Sequence, residues 1–180
     1  MPATTVTRSV TINATPETAW RFLSEPDKLL AWMTFIPGQP APEGSVFEPR
    51  TGGRIRIVFP NGAAAVGEVL ELDPPRRLAF TWGYDPDAGR TGIAPGASRV
   101  ELILEPTNAG TRATLTHSGL PNADAARRHD GGWRHYLTQL AHHASTAHHA
   151  AHLGVGDDPQ VLPVPDRLER GGRRRAAPAL

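Results

Sequence analysis

Residues 129–151, HDGGWRHYLTQLAHHASTAHHAA, form the stretch from which the architecture follows. At 100° per residue, Trp133, Tyr136, Leu137, Leu140, Ala144, Ala147 and Ala151 share one arc about 100° wide. Arg134, His135, Thr138, Gln139, His142, His149 and His152 lie outside that arc. The pattern predicts a long amphipathic helix whose apolar stripe is aromatic at one end and only alanine at the other. Gly131-Gly132 is expected to mark its start, and Gly154 lies after its end. Such a stripe needs an apolar surface to cover, and the preceding chain offers strands.

Val6, Val10 and Ile12 alternate with Thr7, Ser9 and Thr11, the pattern of a half-buried strand. Thr15 is a suitable N-cap and Pro16 suits a first helical position, where no amide donor is needed. A short helix through Trp20, Phe22 and Leu23 should follow, then a second from Glu25 to Trp32 capped by Ser24. Thr34 to Gly44, rich in proline and glycine, is expected to be loop. Strand-like runs then cover 45–49, 54–59, 63–72, 77–82, 98–105 and 111–117, with turn residues between them. Asn61-Gly62 is the strongest hairpin signal, and Gly83 to Gly96 is the longest connection. Consecutive strands with short turns give an antiparallel meander. The predicted fold class is α+β: a helix-grip fold, with a curved antiparallel sheet of about six to seven strands wrapped around the long C-terminal helix. Two short helices follow its first strand.

Apolar residues make up 39 % of the 180, enough for the core of one domain. The last 27 residues differ: residues 154–180 hold four prolines, four glycines, five arginines and four acids, with no apolar period. They cannot bury enough apolar surface to offset the entropy lost on ordering, so the expected division is a folded domain over 1–153 and a disordered tail over 154–180. Without the tail, basic and acidic residues balance at 14 each. That balance argues against a nucleic-acid or anionic-membrane partner. Cysteine is absent, which excludes disulfides, thiol catalysis, iron–sulfur clusters and cysteine-ligated zinc. No apolar run approaches the ~20 residues of a membrane helix. The N-terminal MPATTVTRSVTI has no signal-peptide pattern, so the expected location is cytoplasmic.

Five histidines crowd residues 142–152, and His148 and His152 have the one-turn spacing that can clasp a metal. Most of them fall on the solvent side of the helix, and no carboxylate completes the set. No metal is expected. Phosphate loop, dinucleotide fingerprint and paired catalytic carboxylates are missing too, so no cofactor is expected. Trp82 shares a strand face with Leu78 and Phe80, opposite Trp133 and Tyr136 of the helix. Aromatic walls of this kind either fill a core or line a small-molecule pocket. His117 shares its face with Ala113 and Leu115 near a predicted strand end. It either caps the strand or meets a ligand as proton donor or acceptor. Arg56 and Glu101 are out of phase with their apolar neighbours and should face solvent.

Four segments in order carry a resemblance: 10–20 (VTINATPETAW), 67–82 (GEVLELDPPRRLAFTW), 114–120 (TLTHSGL) and 132–137 (GWRHYL). Over roughly residues 6–150 the chain resembles the SRPBCC (START-like) superfamily. Within it, the chain is most similar to the branch of the C-terminal domain of the activator of the 90-kDa heat-shock protein's ATPase. The resemblance implies a helix-grip fold enclosing a cavity between sheet and long helix. The functions it implies range from hydrophobic-ligand binding to polyketide cyclisation and co-chaperone activity. Three readings follow. The first is a binder of a small hydrophobic molecule, with Trp82, Trp133, Tyr136 and Leu137 as walls and His117 as polar contact. The second is an aromatase/cyclase-like enzyme using His117 and Tyr136. The third is an interaction module whose partner is a chaperone.

Overall fold

Alternating apolar residues build the strands where the sequence places them, in a computed structural model that describes residues 4–89 and 92–154. The expected tail, apart from Gly154, lies outside the described residues. The strands are β1 (Thr4–Ile12), β2 (Val46–Phe47), β3 (Arg54–Val58), β4 (Ala64–Asp73), β5 (Arg77–Tyr84), β6 (Ser98–Thr107) and β7 (Gly110–Leu120). They form one antiparallel sheet in the order β1-β7-β6-β5-β4-β3-β2. Everything after β1 is a meander, and the first strand closes on the last, pairing Val6 with His117 and Val10 with Ala113. A register shift between Val69 and Glu71 breaks the β4–β5 ladder, a bulge that strengthens the local twist.

Helices α1 (Pro16–Ser24) and α2 (Pro26–Trp32) follow β1, and α3 (Ala123–His152) ends the fold. Thr15 caps α1 as its sequence predicts, its side chain accepting from the Thr18 amide. Ser24 does not cap α2; it is the last residue of α1, and its hydroxyl donates to the Trp20 carbonyl. Helix α3 packs against β1, β7, α1 and α2. Its Leu137, Leu140 and Ala144 join Ile12, Phe80, Leu102 and Leu115 of the sheet in one core cluster. The outward face carries the charges: Glu101 receives Arg77 and Arg99, and Arg56 pairs with Asp85. A bidentate pair of Arg8 with Asp130, at 2.5 and 2.6 Å, ties the edge strand to α3.

Three boundaries differ from the sequence expectation. The long helix begins at Ala123, capped by the Asn122 side chain on the Ala125 amide at 2.9 Å. Gly131 and Gly132 are therefore interior, at a local disadvantage of roughly 1 kcal/mol each relative to alanine. Strand β5 runs on through Gly83 to Tyr84, and β7 continues to Leu120, which puts His117 well inside a strand.

Gly83 is in β5 because a side chain has no room there. A Cβ at this position would meet the Ala94 carbonyl oxygen at 2.0 Å. The loop before β6 lies directly on the strand, with the Tyr84 amide donating to the Ile93 carbonyl at 2.8 Å. Gly83→Ala is expected to lower stability by about 1–3 kcal/mol, the usual range for overpacking. Urea unfolding at pH 7 measures it, and a loss under about 0.5 kcal/mol, the range of ordinary surface changes, would show the loop to be freely displaced.

Candidate functional site

Between the aromatic ends of strand β5 and helix α3 lies a cavity of about 60 Å³. Trp82 and Tyr84 of β5 form one wall, and Arg128, His129, Gly132, Trp133 and Tyr136 of α3 form the other. Phe59, just after β3, and Phe35, from the loop after α2, complete the lining. Trp82 and Trp133 stand 5.2 Å apart between ring centres, and Tyr136 lies 5.9 Å from Trp133. Wider depressions of about 350–470 Å³ run along α2, the 34–42 loop and the β6–β7 turn. Those are more open to solvent and formed largely by loop residues, whereas the smaller cavity is framed mainly by β5 and α3.

Phe35 sits at the mouth. It is 48 % exposed and makes edge-on contacts with Phe59 at 5.4 Å and Tyr136 at 5.8 Å. Its loop is fixed from α3 by Gln139, whose side-chain amide donates to the Trp32 and Thr34 carbonyls at 3.2 and 2.6 Å. This is why Gln139 is buried although the helical period puts it outside the apolar stripe.

Of the five residues named from the sequence, Trp82, Trp133 and Tyr136 line the cavity. His117 and Leu137 do not. Leu137 is 2 % exposed within the core, and neither residue lines the cavity. His117 is fully enclosed, and both ring nitrogens are occupied. The Trp133 indole N–H donates to Nδ1 at 2.9 Å. Nε2 therefore carries the proton and donates to the Ser98 hydroxyl at 2.8 Å, which donates onward to the Trp82 carbonyl at 2.8 Å. Burial, with the nearby His129 adding to it, pushes the imidazole pKa down to about 3. His117 is thus a neutral buried link joining β5, β6, β7 and α3. Mid-strand, it does not cap a strand end either.

Residues the sequence analysis did not single out finish the site. His129 is 7 % exposed; its Nδ1–H donates to the Ala125 carbonyl at 2.8 Å. Its Nε2 is left to accept from the Tyr84 hydroxyl at 3.0 Å. The Trp82 indole N–H is buried without an acceptor among the described residues. At the far end of α3, the His148 and His152 rings stand 4.4 Å apart. Among the described residues no group of three histidine or acidic side chains is placed to hold a metal ion. No described helix is long and apolar enough to cross a membrane.

Residues 13–145 match the family model described as activator of Hsp90 ATPase homolog 1-like protein. Among solved structures, the AHSA1-like protein from Rhizobium etli is 30 % identical, with 96 % of each chain covered and a TM-score of 0.58. The AHSA1 protein from Silicibacter pomeroyi is 28 % identical over 81 % of this chain and 100 % of its own, with a TM-score of 0.65. A protein from Chromobacterium violaceum is 25 % identical over 78 % of this chain and 97 % of its own, with a TM-score of 0.60. No curated protein gives a significant match.

Proposed function

The chain belongs to the activator of Hsp90 ATPase homolog 1-like family, and from that premise we propose that it binds a small apolar molecule between β5 and α3. Gly132 carries this reading. It lies inside a 30-residue helix and on the cavity wall, where a Cβ would meet nothing within 4 Å. Neither backbone conformation nor packing requires glycine there, and alanine would favour the helix by roughly 0.5–1 kcal/mol. What the missing side chain does leave is room beside Trp133.

At about 60 Å³ the cavity is smaller than the ~150 Å³ apolar hole known to admit benzene. Entry of even one aromatic ring therefore requires Phe35 to swing out. Its half-exposed position and loop location suit that movement, while Trp82 and Trp133 remain held by strand and helix.

Gly131, exposed and outside the lining, provides an internal control. Gly131→Ala and Gly132→Ala are each expected to raise stability by roughly 0.5–1 kcal/mol. A phenylalanine at position 132 should abolish binding while leaving the fold intact. The four tryptophan indole N–H signals in a ¹H–¹⁵N spectrum report on binding. Cinnamamide, cinnamate and phenol serve as one-ring probes. Saturable shifts of the Trp82 and Trp133 signals, kept in Gly131→Ala and lost in Gly132→Phe, are the expected result. No saturable shift with any of the three probes on the native protein would overturn the proposal.

A further inference from the structure

The chemical class of the molecule follows from the mouth of the cavity, granted the ligand-binding reading above. Guanidinium groups near by already have carboxylates. Arg127 pairs with Asp124, Arg8 with Asp130, and Arg56 with Asp85. Arg128 has no ion-pair or hydrogen-bonded partner among the described residues, because its two neighbouring helix carboxylates, Asp124 and Asp130, are held by Arg127 and Arg8. It lines the cavity, and no aspartate or glutamate does.

A second observation is independent of the first. Trp82, 3 % exposed, is part of the opposite wall and keeps a buried indole N–H without an acceptor. A buried donor left unmade is unfavourable by about 1–3 kcal/mol, so an acceptor from outside the chain would relieve it. Of the other polar groups in the lining, Tyr84 and His129 bond to each other, the Trp133 N–H goes to His117, and Tyr136 adds a neutral phenol; the rest is aromatic surface or glycine.

We infer that the cavity takes a small planar aromatic carboxylic acid, its ring lying against the edges of Trp82 and Trp133 in the space Phe35 vacates and its carboxylate on Arg128. A single guanidinium presents two parallel N–H donors that match one carboxylate. The aromatic walls supply edge contacts for the ring. The donor on Trp82 favours a molecule with oxygen acceptors over a pure hydrocarbon.

Cinnamate and its neutral isostere cinnamamide separate this inference from the reading it rests on. By indole N–H titration in low salt, native protein is expected to bind cinnamate at least about tenfold more tightly than cinnamamide, as for one charge-assisted contact. Arg128→Gln should erase that preference by weakening cinnamate alone. Arg134→Gln, an exposed α3 cation away from the lining, should leave it intact. The preference should also shrink between 50 and 500 mM salt, added concentrations spanning roughly a threefold change in screening length. Equal binding of both probes, or a preference that survives Arg128→Gln, overturns the acid inference and leaves the apolar cavity standing. Saturable binding of neither probe overturns both.

Discussion

Replacing His117 by leucine is expected to destabilise the fold by about 3 kcal/mol, with most of the loss coming from the groups left behind. The buried Trp133 indole N–H loses its one acceptor among the described residues, and the Ser98 hydroxyl keeps its bond to the Trp82 carbonyl but loses the imidazole donor. Leucine has similar bulk and restores neither bond. Trp133→Phe removes the donor from the other side and should be less harmful than His117→Leu on the polar account, though it also gives up ring area. The double variant is the informative one. With donor and acceptor both gone, its loss should fall short of the summed single losses by about 1 kcal/mol or more. Urea unfolding at pH 7 for the four proteins measures the coupling. Strict additivity would mean that the Trp133–His117 bond contributes nothing beyond packing.

Acid should weaken the fold well before its carboxylates titrate. An unfolded histidine takes up a proton near pH 6.5, whereas folded His117 resists until about pH 3. Above pH 6.5 both states are neutral, and this residue gives no pH dependence. Below it the unfolded chain binds the extra proton, so stability falls as pH falls, at up to about 1.4 kcal/mol per pH unit, until the folded imidazole itself titrates. Between pH 6.5 and 4.5 the loss from His117 should reach about 2 kcal/mol. His143, also held down by burial, adds in the same direction. Below that range Asp85, Asp130, Glu25 and Glu48 join, since each has an arginine or backbone partner that lowers its pKa. Urea midpoints from pH 7.5 to 4.5 test the sign and the window. The slope should flatten in His117→Leu; a native protein equally stable at pH 6.5 and 4.5 would contradict it.

The sheet and the main helix were legible because period 2 and period 3.6 are written directly in the order of apolar residues. The facing of Trp82 toward Trp133 and Tyr136 is legible in the same way, since it follows from positions on one strand face and one helix stripe. Local propensity misled at Gly131-Gly132. Two glycines read as a helix start, while Asn122 capping and the packing of Ala125 and His129 carry α3 eight residues further back. That one boundary leaves Arg128 outside the expected helix and puts His129 ahead of its expected start, where the helical period assigns it no face. Gly83 similarly seemed to end β5 and so concealed Tyr84. Gln139 and Phe35 depend on contacts across more than a hundred residues of chain, which no window of periodicity contains. His117 was placed on the correct inward face, but the face alone does not tell whether a polar atom meets a ligand or an indole.

Gln139 has a kinetic meaning. Its amide holds the segment bearing Phe35 on two carbonyls. An anchor common to filled and empty states cancels from an equilibrium constant but not from the barrier between them. Under the proposed binding, with both bonds kept in the filled state, Gln139 is therefore expected to set the exchange rate of a probe, slowing arrival and departure in the same proportion.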